Sequence, residues 1–256
     1  MPKAIEFRNV SYQLDRRDLV SDLSFEVEQG EIVTLLGESG CGKTTTLKLI
    51  NRLLLPSQGK VLVDGISTNE WNPIQLRRQT GYAIQETGLF PHFTVEANIG
   101  LVPKLLGWQS QQIANRVCEL LALVGLNAEQ FANRYPHELS GGQRQRVGVA
   151  RALAADPPVL LMDEPFGALD LITRLEIQRE FKQLQKQLGK TVIFVTHDIQ
   201  EAFLLGDRIG FMDAGKLLAI ATKADLMRSQ VPEVRAFMES VRLLRDSLNM
   251  ENYESE

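Results

Sequence analysis

Gly37-Glu38-Ser39-Gly40-Cys41-Gly42-Lys43-Thr44 fills the pattern G-x-x-x-x-G-K-[ST] at every fixed position. The pattern alone turns up in roughly one unrelated chain of this length in a hundred, so its flanks decide the reading. Before it, Glu31-Ile-Val-Thr-Leu-Leu36 is a short apolar run that predicts a buried strand. After it, Thr44-Thr-Thr-Leu-Lys-Leu-Ile-Asn51 sets Leu47 and Ile50 three apart, as on one face of a helix. Strand, glycine loop and helix in that order make a cradle for a polyphosphate. The glycines let successive N–H groups turn inward, and the helix start adds the positive end of its dipole. In such a loop Lys43 reaches the terminal phosphates and the Thr44 hydroxyl holds Mg²⁺.

Working outward, 256 residues suffice for a substantial core, as one α/β domain or a core with an inserted subdomain. Hydrophobic residues at 44% and charged residues at 23% are ordinary globular usage, which argues against disorder or a fibrous repeat. A net charge of −4 with a pI near 5.6 leaves no global basic footprint, so nucleic acid is not expected as a partner. No apolar run approaches the ~20 residues that cross a bilayer. The start, Met-Pro-Lys-Ala-Ile-Glu-Phe, lacks the apolar core of a signal peptide, and the chain is expected in the cytosol. Cys41 and Cys118 are read as reduced, with Cys41 a small filler of the loop.

Short β-like runs, Ile5 to Val10, Leu23 to Val27 and Gly59 to Gly65, predict a β layer beside the loop. Gly81-Tyr-Ala-Ile-Gln85 is a further strand candidate. From Val95 to about Asp156 the pattern turns helical, with Ile113, Val117, Leu120, Leu121 and Val124 three or four apart, as in an inserted helical subdomain. Pro158-Val-Leu-Leu-Met162 predicts a strand ending at Asp163-Glu164, and Thr191 to Thr196 another ending at His197-Asp198. Polar residues just past the carboxyl ends of such strands lie where open α/β sheets bind ligands. Arg208 to Met212 and Lys216 to Ile220, joined through Asp213-Ala-Gly215, read as a hairpin.

Two groups of residues carry chemistry beyond the loop. Asp163 and Glu164 suit one carboxylate to Mg²⁺ and its neighbour to an attacking water, the roles that phosphoryl transfer needs. Leu139-Ser-Gly-Gly-Gln143 puts Ser140 at a helix N-cap ahead of a helical Arg144 to Ala155, and the two glycines bare N–H groups at a second anion site. One nucleotide has little use for a second phosphate-facing helix end unless that end serves a neighbouring copy.

Together, Gly37 to Thr44, Leu139 to Gln143 and Val159-Leu-Leu-Met-Asp-Glu164 resemble the nucleotide-binding subunits of ATP-binding cassette (ABC) transporters, over roughly residues 1–240. The resemblance implies an α/β P-loop NTPase core with an antiparallel β subdomain and an inserted helical subdomain. It forms one domain over 1–243, with the core at about 1–87 and 157–243, the helical part at about 88–156, and an acidic, frayed tail at 244–256. It further implies ATP and Mg²⁺ as cofactors. Tyr12 would stack on adenine; Gly37, Glu38, Ser39, Gly40, Cys41, Gly42, Lys43, Thr44 and Thr45 would hold the phosphates. Thr44, Gln85 and Asp163 would ligate the metal, Gln85 would also contact the attacking water, Glu164 would be the general base, and His197 would lie near the γ-phosphate. In this family two copies pair head to tail, so that Ser140, Gly141, Gly142 and Gln143 of one cover the nucleotide of the other. Ala168-Leu-Asp170 resembles the loop that crosses between them.

More narrowly, Leu49-Ile-Asn-Arg52, Ile84 to Thr94 and Val102-Pro-Lys-Leu-Leu-Gly-Trp108 look like the importers of glycine betaine, choline and related osmoprotectants. Phe90-Pro-His-Phe-Thr-Val-Glu-Ala-Asn-Ile99 resembles the surface on which such ATPases receive a membrane permease. The implied partners are a second copy, permease subunits and, indirectly, a solute-binding protein, at the cytoplasmic face of the inner membrane. Longer members of the group continue into paired sensor domains; with Glu256 as the last residue here, regulation through such domains is expected to be absent. Another solute, or a soluble ABC ATPase without a permease, are the rival expectations.

Overall fold

The structure, a computed structural model, describes residues 2–239 apart from 86–87, 168, 233 and 237–238. The acidic tail at 244–256 lies outside the described residues, as do Ala168, Glu86 and Thr87.

The apolar run ahead of the glycine loop forms β3 (Ile32–Leu36), buried at all five positions. An unbroken apolar strand belongs inside a sheet covered on both faces. β3 accordingly lies between β8 (Thr191–Thr196) and β9 (Arg208–Asp213), parallel to both. β7 (Val159–Asp163) and β6 (Thr80–Ala83) continue the parallel sheet, and β10 (Lys216–Thr222) returns antiparallel on β9, in the order β10-β9-β3-β8-β7-β6.

Because alternate strand residues point to opposite faces, neighbours in sequence enter different cores. Val159, Leu161, Ile193 and Val195 pack with α1 (Lys43–Ile50) and an antiparallel sheet. That sheet has the order β2 (Arg17–Glu28), β1 (Lys3–Leu14), β4 (Gln58–Val63), β5 (Ile66–Ser67). Leu160, Met162, Val192 and Phe194 face the other way, onto α7 (Leu171–Leu188) and the helical block. The parallel sheet is thus the middle layer, and the glycine loop leaves it between the two cores.

The helical block comprises α3 (Val95–Leu105), α4 (Ser110–Leu123), α5 (Ala128–Phe131), a 3₁₀ turn (Pro136–Glu138) and α6 (Gly141–Leu153), all between β6 and β7. Its apolar residues Val117, Leu120, Leu121, Val147 and Ala150 belong to the same core as Leu160 and Phe194. α2 (Pro73–Gln79), with Asn72 as its N-cap, precedes β6; α8 (Ile199–Leu205) and α9 (Lys223–Leu226) follow β8 and β10.

The strand and helix positions follow the apolar patterns, but α7 carries a weak one. Besides Ile177 and Phe181, its buried face holds Gln178 and Gln185, whose amides donate to Glu201 Oε1 (2.8 Å) and to the Gly30 carbonyl (2.8 Å). Paired polar groups replace the apolar residues that periodicity detects.

Candidate functional site

The glycine loop is confined on two sides. A Cβ at Gly37 would fall 2.1 Å from the Met212 carbonyl oxygen at the end of β9. Gly42 has φ of +103°, and a Cβ there would lie 2.6 Å from the Leu19 carbonyl oxygen of β2. Any side chain at these positions would push the loop off its supports. Glu38, Ser39 and Gly40 form the exposed outer rim, while Cys41 is buried within, where desolvation raises its thiol pKa. Lys43 is 5% exposed, and its Nζ donates to the carbonyls of Gly37 (2.7 Å) and Glu38 (2.8 Å), so the ammonium sits in the curl of the loop. Thr45 is half-buried in the first turn of α1.

Four parallel strands deliver the remaining groups at their carboxyl ends. Thr44 Oγ1, just past β3, donates to Asp163 Oδ1 at the end of β7 (3.0 Å). Asp163 is 3% exposed, and burial, assisted by the neighbouring Glu164 charge, pushes its carboxyl above the usual range. Glu164 follows in a left-handed conformation, φ 46°, its N–H held by the Val195 carbonyl (3.0 Å). That backbone costs roughly 1–2 kcal/mol for a residue with a Cβ, and it turns the carboxylate away from the strand line. His197 Nδ1, past β8, lies 3.0 Å from Glu164 Oε1, and Gln85 Nε2, past β6, donates to Glu164 Oε2 (3.2 Å). His197 is 61% exposed, while Glu164 retains 16%. Gln85 therefore stands in contact with Glu164 rather than with Thr44 or Asp163 directly.

Hydroxyl and carboxylate oxygens are the hard donors that Mg²⁺ takes, and a cation would offset the desolvation of Asp163; the residues fit the ion. Among the described residues no three His, Cys, Asp or Glu side chains gather into a metal cage. That suits Mg²⁺, which is usually held by one or two protein groups plus substrate phosphates.

Tyr12 is half-buried in β1, opposite Val20 of β2, and Val20 Cγ2 in turn lies against Gly42. Tyr12 is thus one cross-strand pair away from the residue that walls Gly42.

A second constellation lies on the helical block. Ser140 caps α6: its Oγ accepts the Gln143 N–H (3.2 Å), and Gln143 Oε1 accepts the Ser140 N–H (2.9 Å). Gly141 and Gly142 supply the first helical N–H groups, which have no intrahelical partner. With Gln143, Arg146, Leu169 and Asp170 they line an open cleft of about 500 Å³ that no residue of the glycine loop enters. Asp170 is exposed and caps α7, and the Thr173 N–H holds its carboxyl below the usual range.

Arg174 makes a tertiary link that the sequence reading missed. From α7 it donates to the Leu169 carbonyl (2.9 Å) and approaches Asp198 Oδ2 (3.6 Å), tying the segment before α7 to the residue after His197. Its position four residues after Asp170 is the signal that could have found it. Below the same turn, Glu201 is buried against Thr196 and Gln178, and desolvation raises its carboxyl pKa to about 7.

A glycine loop feeding a helix from the middle of a parallel sheet, with Thr44 past β3 meeting Asp163 at the end of β7, β8 lying between the two strands, and Glu164 next in the chain, defines a P-loop nucleotide-binding protein. Residues 20–167 match the ABC transporter family, and the chain belongs to it. It is 53% identical over 229 residues to the choline transport ATP-binding protein OpuBA of Bacillus subtilis, covering 89% of this chain and 60% of that one. It is 50% identical to the glycine betaine/carnitine/choline transport ATP-binding protein OpuCA of the same organism, over 92% of this chain and 62% of the relative. The chain therefore spans about three fifths of the length of these relatives. Among solved structures, a dimeric, post-hydrolysis ATP-binding cassette, MJ0796, bound to ADP and Pi matches with a TM-score of 0.78 at 35% identity. The match covers 85% of this chain and 98% of that one. These cassettes bear out the α/β P-loop fold expected from the sequence. No helix among the described residues is long and apolar enough to cross a membrane.

Proposed function

We propose that this chain hydrolyses ATP with Mg²⁺ to power a membrane importer of osmoprotectants such as glycine betaine, choline or related quaternary amines. The observation that carries the reading is the meeting of Thr44 with Asp163, and of Gln85 and His197 with Glu164, at the strand ends beside Lys43. Lys43 and the loop N–H groups bind the β- and γ-phosphates, and Tyr12 stacks on the base. Bound Mg²⁺ would supply charge neutralisation on the phosphate oxygens, held by Thr44 and Asp163 with Gln85 nearby. Glu164, oriented by Gln85 and His197, takes a proton from the water that attacks the γ-phosphorus in line. ADP leaves with the bonding electron pair, and inorganic phosphate forms.

The outward cleft of Ser140 to Gln143 and Asp170 supports closure over the nucleotide of a second copy, head to tail. The dimeric state of the similar cassette supports the same arrangement. Phe90, 41% exposed, and the half-buried Phe93 support a permease contact. A permease fed by a solute-binding protein would place the chain at the cytoplasmic face of the inner membrane, without nucleic acid. The relatives named for choline and glycine betaine transport favour the quaternary amine.

Glu164→Gln tests the reading: ATP binding is retained while hydrolysis falls by about 10²-fold or more, and an ATP-bound dimer accumulates. Near wild-type turnover in a steady-state phosphate-release assay would sink the base assignment.

A further inference from the structure

We propose that Asn98 is a positioning residue that sets the shape of the Phe90–Thr94 segment and, through it, the permease contact; the second half rests on the function proposed above. Asn98 lies in the first turn of α3 with no exposed surface, flanked in the chain and core by Val95 and Ile99. A buried amide is destabilising unless it is paired. Here the pairing is complete and runs to one place. Oδ1 accepts the Phe90 N–H (2.8 Å), while Nδ2 faces the carbonyls of Phe90 (3.2 Å), Phe93 (3.1 Å) and Thr94 (3.0 Å).

Residues 90–94 belong to no strand or helix, and within the segment the backbone supplies one turn bond, from the Phe93 N–H to the Phe90 carbonyl (3.1 Å). Beyond that turn bond and the Asn98 N–H to the Thr94 carbonyl (2.9 Å), the inward-facing polar groups of the segment are held by one side chain in place of a ladder. The rings are built on that backbone: the exposed Phe90 and the half-buried Phe93 stand 5.3 Å apart, and His92 packs edge-on to Phe93 at 4.7 Å. A donor and an acceptor on one short fork are what the four contacts require. Aspartate keeps the acceptor and loses both donors, setting a carboxylate against three carbonyls, and alanine loses both functions.

The experiment follows amide hydrogen exchange across residues 88–94 in the full wild-type chain and in Asn98→Asp and Asn98→Ala. Basal ATP turnover, and choline and glycine betaine uptake by cells expressing each chain, are measured alongside. The wild-type Phe90 amide should be protected, and each substitution should speed its exchange by about tenfold or more. Basal kcat and KM should stay within about twofold, because Asn98 touches none of the nucleotide groups, while uptake falls by about tenfold. A wild-type Phe90 amide that exchanges as fast as an open-chain amide overturns the proposal even if neither variant folds. Faster exchange with normal uptake overturns the link to transport when Phe90→Ser with Phe93→Ser does abolish uptake. If that double variant also transports normally, the permease reading of the segment fails, while the control of its shape by Asn98 stands.

Discussion

The helix starts at Lys43 and at Ser140, both read as phosphate-facing, are built in opposite ways. The one at Lys43 is the exit of a fully buried strand, walled by the Met212 and Leu19 carbonyls, with its lysine folded inward. The one at Ser140 stands at the edge of the helical block, held mainly by its own capping box, and its glycines line an open cleft. The first is a walled, preorganised pocket; the second lies open, as the proposed closure over a second copy requires. Preorganisation is what makes electrostatic binding strong, since no loop has to be ordered when the phosphate arrives. A capped helix end with free N–H groups gains nothing until a partner brings the charge. Under the proposed function, the difference means that one copy carries two unlike halves of a site.

The hardest way to break this comparison is to remove the inward lysine. Lys43→Ala should lower ATP affinity by about 10²-fold, the scale of one or two charge-assisted hydrogen bonds, and turnover by more. Calorimetric titration checks it. Affinity within threefold of wild type would mean that the loop N–H groups alone make the pocket, and the inward half would lose its distinction.

Protons should separate the halves next. Burial raises Asp163 beside the glycine loop and Glu201 beneath α7, whereas hydrogen bonds from Thr173 lower the exposed Asp170. Glu201 moves from an ordinary 4.5 to about 7 in the folded chain. Between these values the folded state holds a proton that the unfolded state has released. The stabilisation is therefore complete below the unfolded pKa and is lost as pH rises through about 7. The full difference is on the order of 3 kcal/mol. Glu201→Gln keeps an acceptor toward Gln178 and cannot ionise, so it should flatten the decline and be the more stable chain at pH 8. Urea unfolding at pH 5 and pH 8 measures this; parallel pH profiles for the two proteins would refute the burial-raised pKa of Glu201.

How legible each half was follows from the same contrast. The loop could be read because its glycines are dictated by sterics, and β3 and β8 because a strand buried on both faces is an unbroken apolar run. Ser140 could be read as a cap from residue type and position alone. The meeting of Gln85 with Glu164 spans 79 positions, and periodicity has no term for it; the family resemblance named both residues without giving their contact. α7 and Arg174 escaped for a related reason. Gln178, Gln185 and Arg174 bury polar groups against carbonyls and a carboxylate, so the stretch has the look of a solvated one. The role of Asn98 was hidden too: within an apolar helix an asparagine reads as an interruption, whereas its fork is what holds the turn before it.

The smallest expected effect is the most direct test of the outward half. Ser140→Ala removes the acceptor for the Gln143 N–H and leaves only the reciprocal bond, from the Ser140 backbone N–H to Gln143 Oε1. Loss of such a cap costs about 1 kcal/mol, which thermal unfolding resolves. Because no residue of this end lines the lysine pocket, ATP affinity of the dilute single copy should not change. Turnover should fall, and fall most at concentrations where pairing limits the rate, if the weakened end is offered to a neighbouring copy as proposed. A loss of single-copy ATP affinity equal to the loss of turnover would mean that both helix starts serve one nucleotide within one chain, and the division into two unlike halves would collapse.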